Sequence, residues 1–334
     1  MRRIFACAGR ASSPPPTAPE EKQAAGPASP PSRPPLAVPQ PPARSQGAAS
    51  ILTYLDHGYL PLIRSHKYPS ASPAGATQPK TIWQYWGQGA ETAPPLIRVC
   101  LESVSRHCGD CEIHVLDDRT LHDCVSIPPH ILQRLDSGVL SRAHFSDYLR
   151  TCLLLQHGGI WLDATVYLSG PLPAAIEGAA FFIYKSSLFH SLAQLPPQVL
   201  LNAPIDQYFP PWHRMIGSSW CMAAAPGCRL LELTKVVLET YWKRESRLID
   251  YFFFHHTLTW LLYRDPACAE IFQGMPSLSN LPTHLMQTQL LQPYQKQLDD
   301  AIRAATPIHK LTYKYDPPQQ RQGLTLHHLL AEGR

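Results

Sequence analysis

Apolar positions in this chain come in short runs set between helical stretches, and the most ordered pattern lies between His144 and Leu172. From Phe145, the side chains Leu149, Cys152, Leu153 and Leu155 recur at three- and four-residue spacing. That spacing predicts a helix with one buried stripe, with Ser146 in its N-cap region. His157-Gly158-Gly159 ends it, because glycine takes the left-handed conformation that a helix stop needs. Ile160-Trp161-Leu162 is then a short apolar run bounded by glycine and acid, the pattern of a buried strand. Asp163 falls where that strand stops, and Thr165 sits two residues on.

The same rhythm extends to both sides. Lys80 to Trp86 reads as a first strand ending in Gly87-Gln88-Gly89, where glycine lets a backbone approach a ligand closely. Pro94 to His107 reads as a helix with Ile97, Leu101 and Val104 on one side, and Pro95 suits its start. Glu112 to Leu116 alternates as a strand, and Pro128-Pro129 opens a helix through Leu135. Three strands separated by helices predict an α/β fold with a mixed, mainly parallel sheet flanked by helices. Further strands are expected at Val166–Leu168, at Phe181–Tyr184 and at Ser218–Ala224, with a helix from Leu230 to Tyr241 and another beginning at Asp250.

Composition sets the boundaries. Residues 1–50 hold about a third of the chain's 35 prolines and are expected to be a disordered Pro/Ala/Ser-rich arm. Residues 51–79 read as an apolar, partly helical segment that docks on the domain, followed by a linker, and 80–334 as the main domain. The basic start of the arm, Met1-Arg2-Arg3, precedes too short an apolar run for a secretory signal, which favours a cytoplasmic location over a secretory or organellar one. No run approaches the ~20 apolar residues of a membrane helix, leaving peripheral contact as the membrane association to consider. The formal charge of +4, with scattered basic residues, gives no argument for nucleic acid. Nine cysteines without a disulfide framework suggest reduced thiols, and Cys108-Gly109-Asp110-Cys111 reads as a turn.

Two features carry chemistry. Asp147 and Arg150 are three apart on the predicted helix and so share one face. Asp163 ends a strand, where open α/β sheets place their ligands. Either alone reads as a surface ion pair or an acid in a turn; inside one helix–Gly-Gly–strand–Asp unit they point to a site.

The pattern Ser146-Asp147-Tyr148-Leu149-Arg150, Leu153-Leu154-Leu155, Gly158-Gly159-Ile160-Trp161-Leu162-Asp163-Ala164-Thr165 resembles the signature of the capsular polysaccharide synthesis glycosyltransferases. These are relatives of the sugar transferases that carry Asp-x-Asp. The likeness extends more loosely from Lys80 to Tyr315. It implies a GT-A-like domain that moves a sugar from a nucleotide sugar, a UDP-sugar first, to a glycan or other hydroxyl acceptor. A non-catalytic sugar-nucleotide or glycan-binding protein is the alternative. By the same resemblance Trp83 stacks on the nucleobase, Asp147 and Arg150 contact sugar or ribose hydroxyls, and Asp250 borders the acceptor as a second catalytic acid. Trp86 reads equally as a ligand contact or as core, and capping is an alternative for Asp250.

Such a transfer must neutralise charge on a diphosphate, a task for Mn²⁺ or Mg²⁺ held by oxygen ligands. The implied ligands are Asp163 and His309, with Lys310 as a phosphate-neutralising charge; a surface position is the alternative for His309 and Lys310. Here the sequence departs from Asp-x-Asp: the second acid is Thr165, a neutral hydroxyl, which puts metal dependence in question.

Overall fold

The computed structural model describes residues 48–67, 78–185, 216–315 and 323–333. Most of the proline-rich arm and most of the linker lie outside them. Helix α1 (Ala48–Ser65) starts inside the stretch expected to be disordered. It buries Ile51, Tyr54, Leu55 and Tyr59 in the same core as the helices Arg229–Arg244 and Phe253–Arg264. Asp56 fixes the dock: its carboxylate accepts from Trp260 Nε1 at 2.8 Å and pairs with Arg264 at 2.5 Å.

The remaining elements follow the periodicities. Strand β1 (Thr81–Tyr85) leads through α2 (Pro95–His107) to β2 (Glu112–Leu116). Helix α3 (Pro129–Asp136) and α4 (Arg142–His157) then feed β3 (Gly159–Leu162). The chain continues through β4 (Val166–Leu168), β5 (Phe181–Lys185), β6 (Gly217–Ala224) and, near the C-terminus, β7 (Ile308–Lys310). The five-stranded sheet has the order β2-β1-β3-β6-β5, and β4 pairs with β7 in a second sheet. β1 is parallel to β2 and β3, β6 is antiparallel to β3, and β5 is antiparallel to β6, so only β6 runs against the rest. Connecting β1, β2 and β3 through helices forces their parallel pairing and puts their carboxyl ends on one edge.

Two local details differ from expectation. Helix α4 begins at Arg142, capped by Ser141, whose side chain accepts from the His144 amide. Ser146 lies inside the first turns, where its hydroxyl donates back to Ala143 O at 2.6 Å; its polarity suggested a cap because both roles use the same hydroxyl. The helix after Asp250 opens only at Phe253, and the Asp250 carboxylate accepts from the Phe252 amide at 2.7 Å.

The Gly158-Gly159 stop is fixed by tertiary packing as well as by helix geometry. Both residues have positive φ, 69° and 98°. A Cβ on Gly159 would lie 2.5 Å from Thr81 O, so β3 could not sit against β1 with any other residue there. Trp83 Nε1 donates to Gly158 O at 2.9 Å and closes the corner. The eight described cysteines are all free thiols, and all but Cys111 are buried.

Candidate active site

A cavity of about 430 Å³ opens at the sheet edge where β1 and β3 end, walled by α4, the start of β6 and the segment after β7. Its floor is a four-membered charge cluster. Arg150, 3% exposed, reaches from α4 to Asp163 at the end of β3, Nη2 to Oδ1 at 3.1 Å, and sits 3.3 Å from Asp147 Oδ1 one turn back. Its remaining N–H groups are spent on protein: Nε donates to Ser146 O at 3.0 Å, Nη1 to Ser219 O at 2.6 Å and Nη2 also to Ser146 Oγ at 2.9 Å. A guanidinium has five donors; four make hydrogen bonds to protein, and Nη1 also faces the Asp147 carboxylate. Arg150 therefore organises the two carboxylates from the cavity floor.

Asp163 is held from every side. Oδ1 accepts from Arg150 and from Trp161 Nε1 at 2.9 Å, and Oδ2 accepts from Lys310 Nζ at 3.0 Å. Its amide donates to Trp220 O at 2.8 Å, pinning the strand end to β6. Burial would raise its pKa, but the charges of Lys310 and Arg150 and the Trp161 hydrogen bond hold it below the usual carboxylate value. Asp147 goes the other way: burial pushes it up to about 6, with Arg150 opposing and the Asp163 charge reinforcing the rise. Two acids 16 residues apart in sequence thus acquire different acidities from one cluster.

Lys310 also donates to Thr165 Oγ1. Thr165 and Lys310 both line the cavity, brought together by the β4–β7 pairing, in which Val166 opposes Lys310. His309 does not reach it. Neighbouring residues on a strand point to opposite faces, so with Lys310 facing the cleft His309 is turned inward. There it is fully buried, bonded to Ser169 Oγ at 2.9 Å, with burial lowering its pKa to about 3. The implied metal ligands Asp163 and His309 therefore do not converge. Among the described residues no group of three or more His, Cys, Asp or Glu is arranged to hold a metal ion. The Asp163 oxygens instead face two cations, a donor set that does not fit Mn²⁺ or Mg²⁺.

Trp83 is also inside. It is 3% exposed and stacked on the His114 ring, centroids 4.6 Å apart, away from the cavity. Trp86, just past the end of β1, lines the cavity with its Nε1 buried and unpartnered, and Tyr313 packs edge-on against it at 5.1 Å. The change of wall follows from the strand: β1 is buried from Ile82 on, and only its last residue, Tyr85, and those just beyond its end reach the opening. Gly87 next to it lines the same wall, and a Cβ there would lie 2.7 Å from Arg142 Nε, Asp118 Oδ1 and Tyr85 Oη. Asp117 and Asp118, which follow β2, take separate partners. Asp117 caps the turn behind β2 by accepting from the Arg119 and Thr120 amides, each at 2.8 Å. Asp118 pairs with Arg142 at 2.5 Å.

Asp250 does not line the cavity; its carboxylate faces His256 at 3.5 Å. Its neighbour Tyr251 does, 63% exposed at the mouth, with the His144 ring edge-on at 5.0 Å. His255 lines it one helical turn further on, its Nδ1 buried without a partner and its pKa lowered to about 3 by burial. Sequence reasoning stopped at the acid; a turn leading into a helix presents side chains at one-turn intervals, and that periodicity was the available signal for Tyr251 and His255.

Residues 40–329 match the family described as capsular polysaccharide synthesis protein. The chain belongs to this family. Among curated proteins it is similar to the O-glycosyltransferase PaGT of Phomopsis amygdali, 31% identical over 99 residues, which cover 27% of this chain and 24% of that protein. The chain thus matches about a quarter of that relative's length. Among solved structures, the PaToxG Glycosyltransferase aligns with 77% of this chain and 93% of its own, at 11% identity and a TM-score of 0.29, a likeness that carries no argument. Membership in the capsular polysaccharide synthesis family rests on the match across most of the chain, signature stretch included. Among the described residues no helix is long and apolar enough to cross a membrane.

Proposed function

We propose that this family member is a glycosyltransferase that moves a sugar from a nucleotide-sugar donor, a UDP-sugar in the first instance, to a hydroxyl of a glycan acceptor. The observation that carries the reading is the Asp147–Arg150–Asp163–Lys310 cluster on the floor of a cavity at the carboxyl ends of parallel strands. Ligands of α/β sheets bind at that edge. The family and the O-glycosyltransferase name of the partial relative support the reaction class. The sheet order, with one reversed strand beside β3, supports a GT-A-like arrangement.

In the transfer, the bond from the sugar's anomeric carbon to the diphosphate breaks and its electron pair stays on the phosphate oxygen. The acceptor oxygen bonds the same carbon, and its proton leaves to the departing phosphate oxygen. The protein's part is to hold the donor against a preorganised field, because dipoles and charges fixed in advance cost no reorganisation as charge develops. The Trp86–Tyr313 wall offers faces for the nucleobase, and Tyr251 at the mouth offers a surface for the acceptor.

Thermal shift with a panel of nucleotide sugars and free sugars tests this, since a ligand of the native state raises its apparent stability. One nucleotide sugar should raise the melting temperature by several degrees, and incubation with glycan acceptors should then yield a glycosylated product. A panel in which no nucleotide or nucleotide sugar shifts the transition would overturn the reading. Binding without transfer to any acceptor would favour a non-catalytic sugar-nucleotide binder.

A further inference from the structure

The donor set around Asp163 has a consequence for how the diphosphate is held, resting on the nucleotide-sugar reading above. A divalent ion needs free oxygen lone pairs at about 2.1 Å and a site of net negative charge. Asp163 keeps one lone pair, on Oδ2, and the surrounding cluster of two acids and two cations has no net negative charge. Its Oδ1 is taken by Arg150 and Trp161, and its Oδ2 faces the Lys310 ammonium at 3.0 Å. The second position of the Asp-x-Asp pattern is Thr165, whose hydroxyl receives another Lys310 proton. A metal ion bound here would share its ligands with an ammonium and a guanidinium.

The geometry points to Lys310 as a protein-borne replacement for the metal: the donor's diphosphate binds directly to the Lys310 ammonium, and binding needs no divalent cation. The ammonium has three N–H donors. Asp163 and Thr165 hold two of them, which fixes the nitrogen in place and leaves the third for the cavity that Lys310 lines. Arg150, by contrast, spends four donors on protein and faces Asp147 with the other, so its part is to support Asp163 and add fixed charge. Lys314, further along the segment that leaves β7, lines the same cavity and adds a second cation beside the phosphates. His309 is excluded from this role by the strand alternation that brings Lys310 in.

The test is calorimetric titration of the full chain with UDP, GDP and inorganic pyrophosphate, once in EDTA and once in MnCl₂. Wild-type affinity for the diphosphates should agree within about threefold between the two buffers. Lys310→Ala should lose at least tenfold in EDTA, and Lys310→Gln, which keeps a hydrogen-bond donor for Thr165 without the charge, should lose as much. Lys310→Arg should recover most of the affinity. Circular dichroism establishes that each variant is folded, and the Gln and Arg variants carry the comparison if the Ala variant is not. Binding seen only with Mn²⁺, or neutral variants that bind as the wild type does, would overturn the inference while leaving the donor reading intact. No binding of any diphosphate in either buffer would sink both.

Discussion

Arg150 and Asp163 are 13 residues apart in the chain, yet their side chains meet at 3.1 Å across the Gly-Gly corner. This bridge ties α4 to the end of β3 and sets the position of every charge on the cavity floor. Arg150→Lys keeps the charge but loses the planar fork that serves five acceptors at once. Because buried charges left with unmet partners are costly, the change should destabilise the fold by roughly 3 kcal/mol. Urea denaturation at neutral pH measures it. A midpoint equal to that of the wild type would mean that the guanidinium is replaceable and the cluster is not organised by it.

The two carboxylates should respond differently to pH. Asp147 has a folded pKa raised to about 6, so the native state holds a proton that the unfolded chain has already lost. Its contribution to stability is therefore largest at low pH and declines as pH rises towards 6, by at most about 1.4 kcal/mol per pH unit. Asp147→Asn removes that dependence. The difference in melting temperature, wild type minus variant, should shrink between pH 5 and pH 6.5 and level off above. A difference that stays flat over this interval would show Asp147 to be ionised throughout. Asp163 acts with the opposite sign: its pKa lies below the usual value, so its contribution is lost as the medium becomes more acidic.

Trp83 in β1 and Trp86 just past its end should separate stability from binding. Trp83 is core, stacked on His114 and bonded to Gly158 O, so Trp83→Ala should cost about 3–5 kcal/mol. Trp86 lines the cavity. Trp86→Ala should cost much less stability and weaken nucleotide binding by about tenfold, as expected when one stacking face is removed. Unfolding curves and UDP titrations on both variants check this, and equal effects on binding would return Trp83 to the site.

Gly159→Ala is the sharpest test of the corner. The added Cβ would meet Thr81 O at 2.5 Å on a residue with φ of 98°, combining a clash with backbone strain of about 1–3 kcal/mol. The variant should unfold at least 10 °C below the wild type or fail to accumulate as soluble protein. Scanning calorimetry reads the first outcome, and an unchanged transition would mean that β3 packs more loosely against β1 than the register of Ile82 with Ile160 implies.

Sequence alone determined most of the elements from Lys80 to Tyr241 and the place of the candidate site, while the helices between Pro266 and Ala305 and at Thr325–Glu332 went unread. Helical and strand periods are local, so α2, β2, β4 and the α4–Gly-Gly–β3 unit could be read from spacing, and Asp163 from its position where an apolar run stops. The family signature lies in that same continuous stretch. Tertiary structure decided which way side chains face and what they touch. Trp83 and Trp86 are three residues apart on one apolar run, and only the burial of β1 on both faces separates core from wall. His309 and Lys310 are adjacent, and only the pairing of β7 with β4 sends the lysine into the cleft and the histidine into the interior. Arg150 looked free to read a ligand until Ser146, Ser219, Asp147 and Asp163 were seen around it. Hydrogen-bond saturation and strand facing are properties of residues distant in sequence, and no local pattern records them.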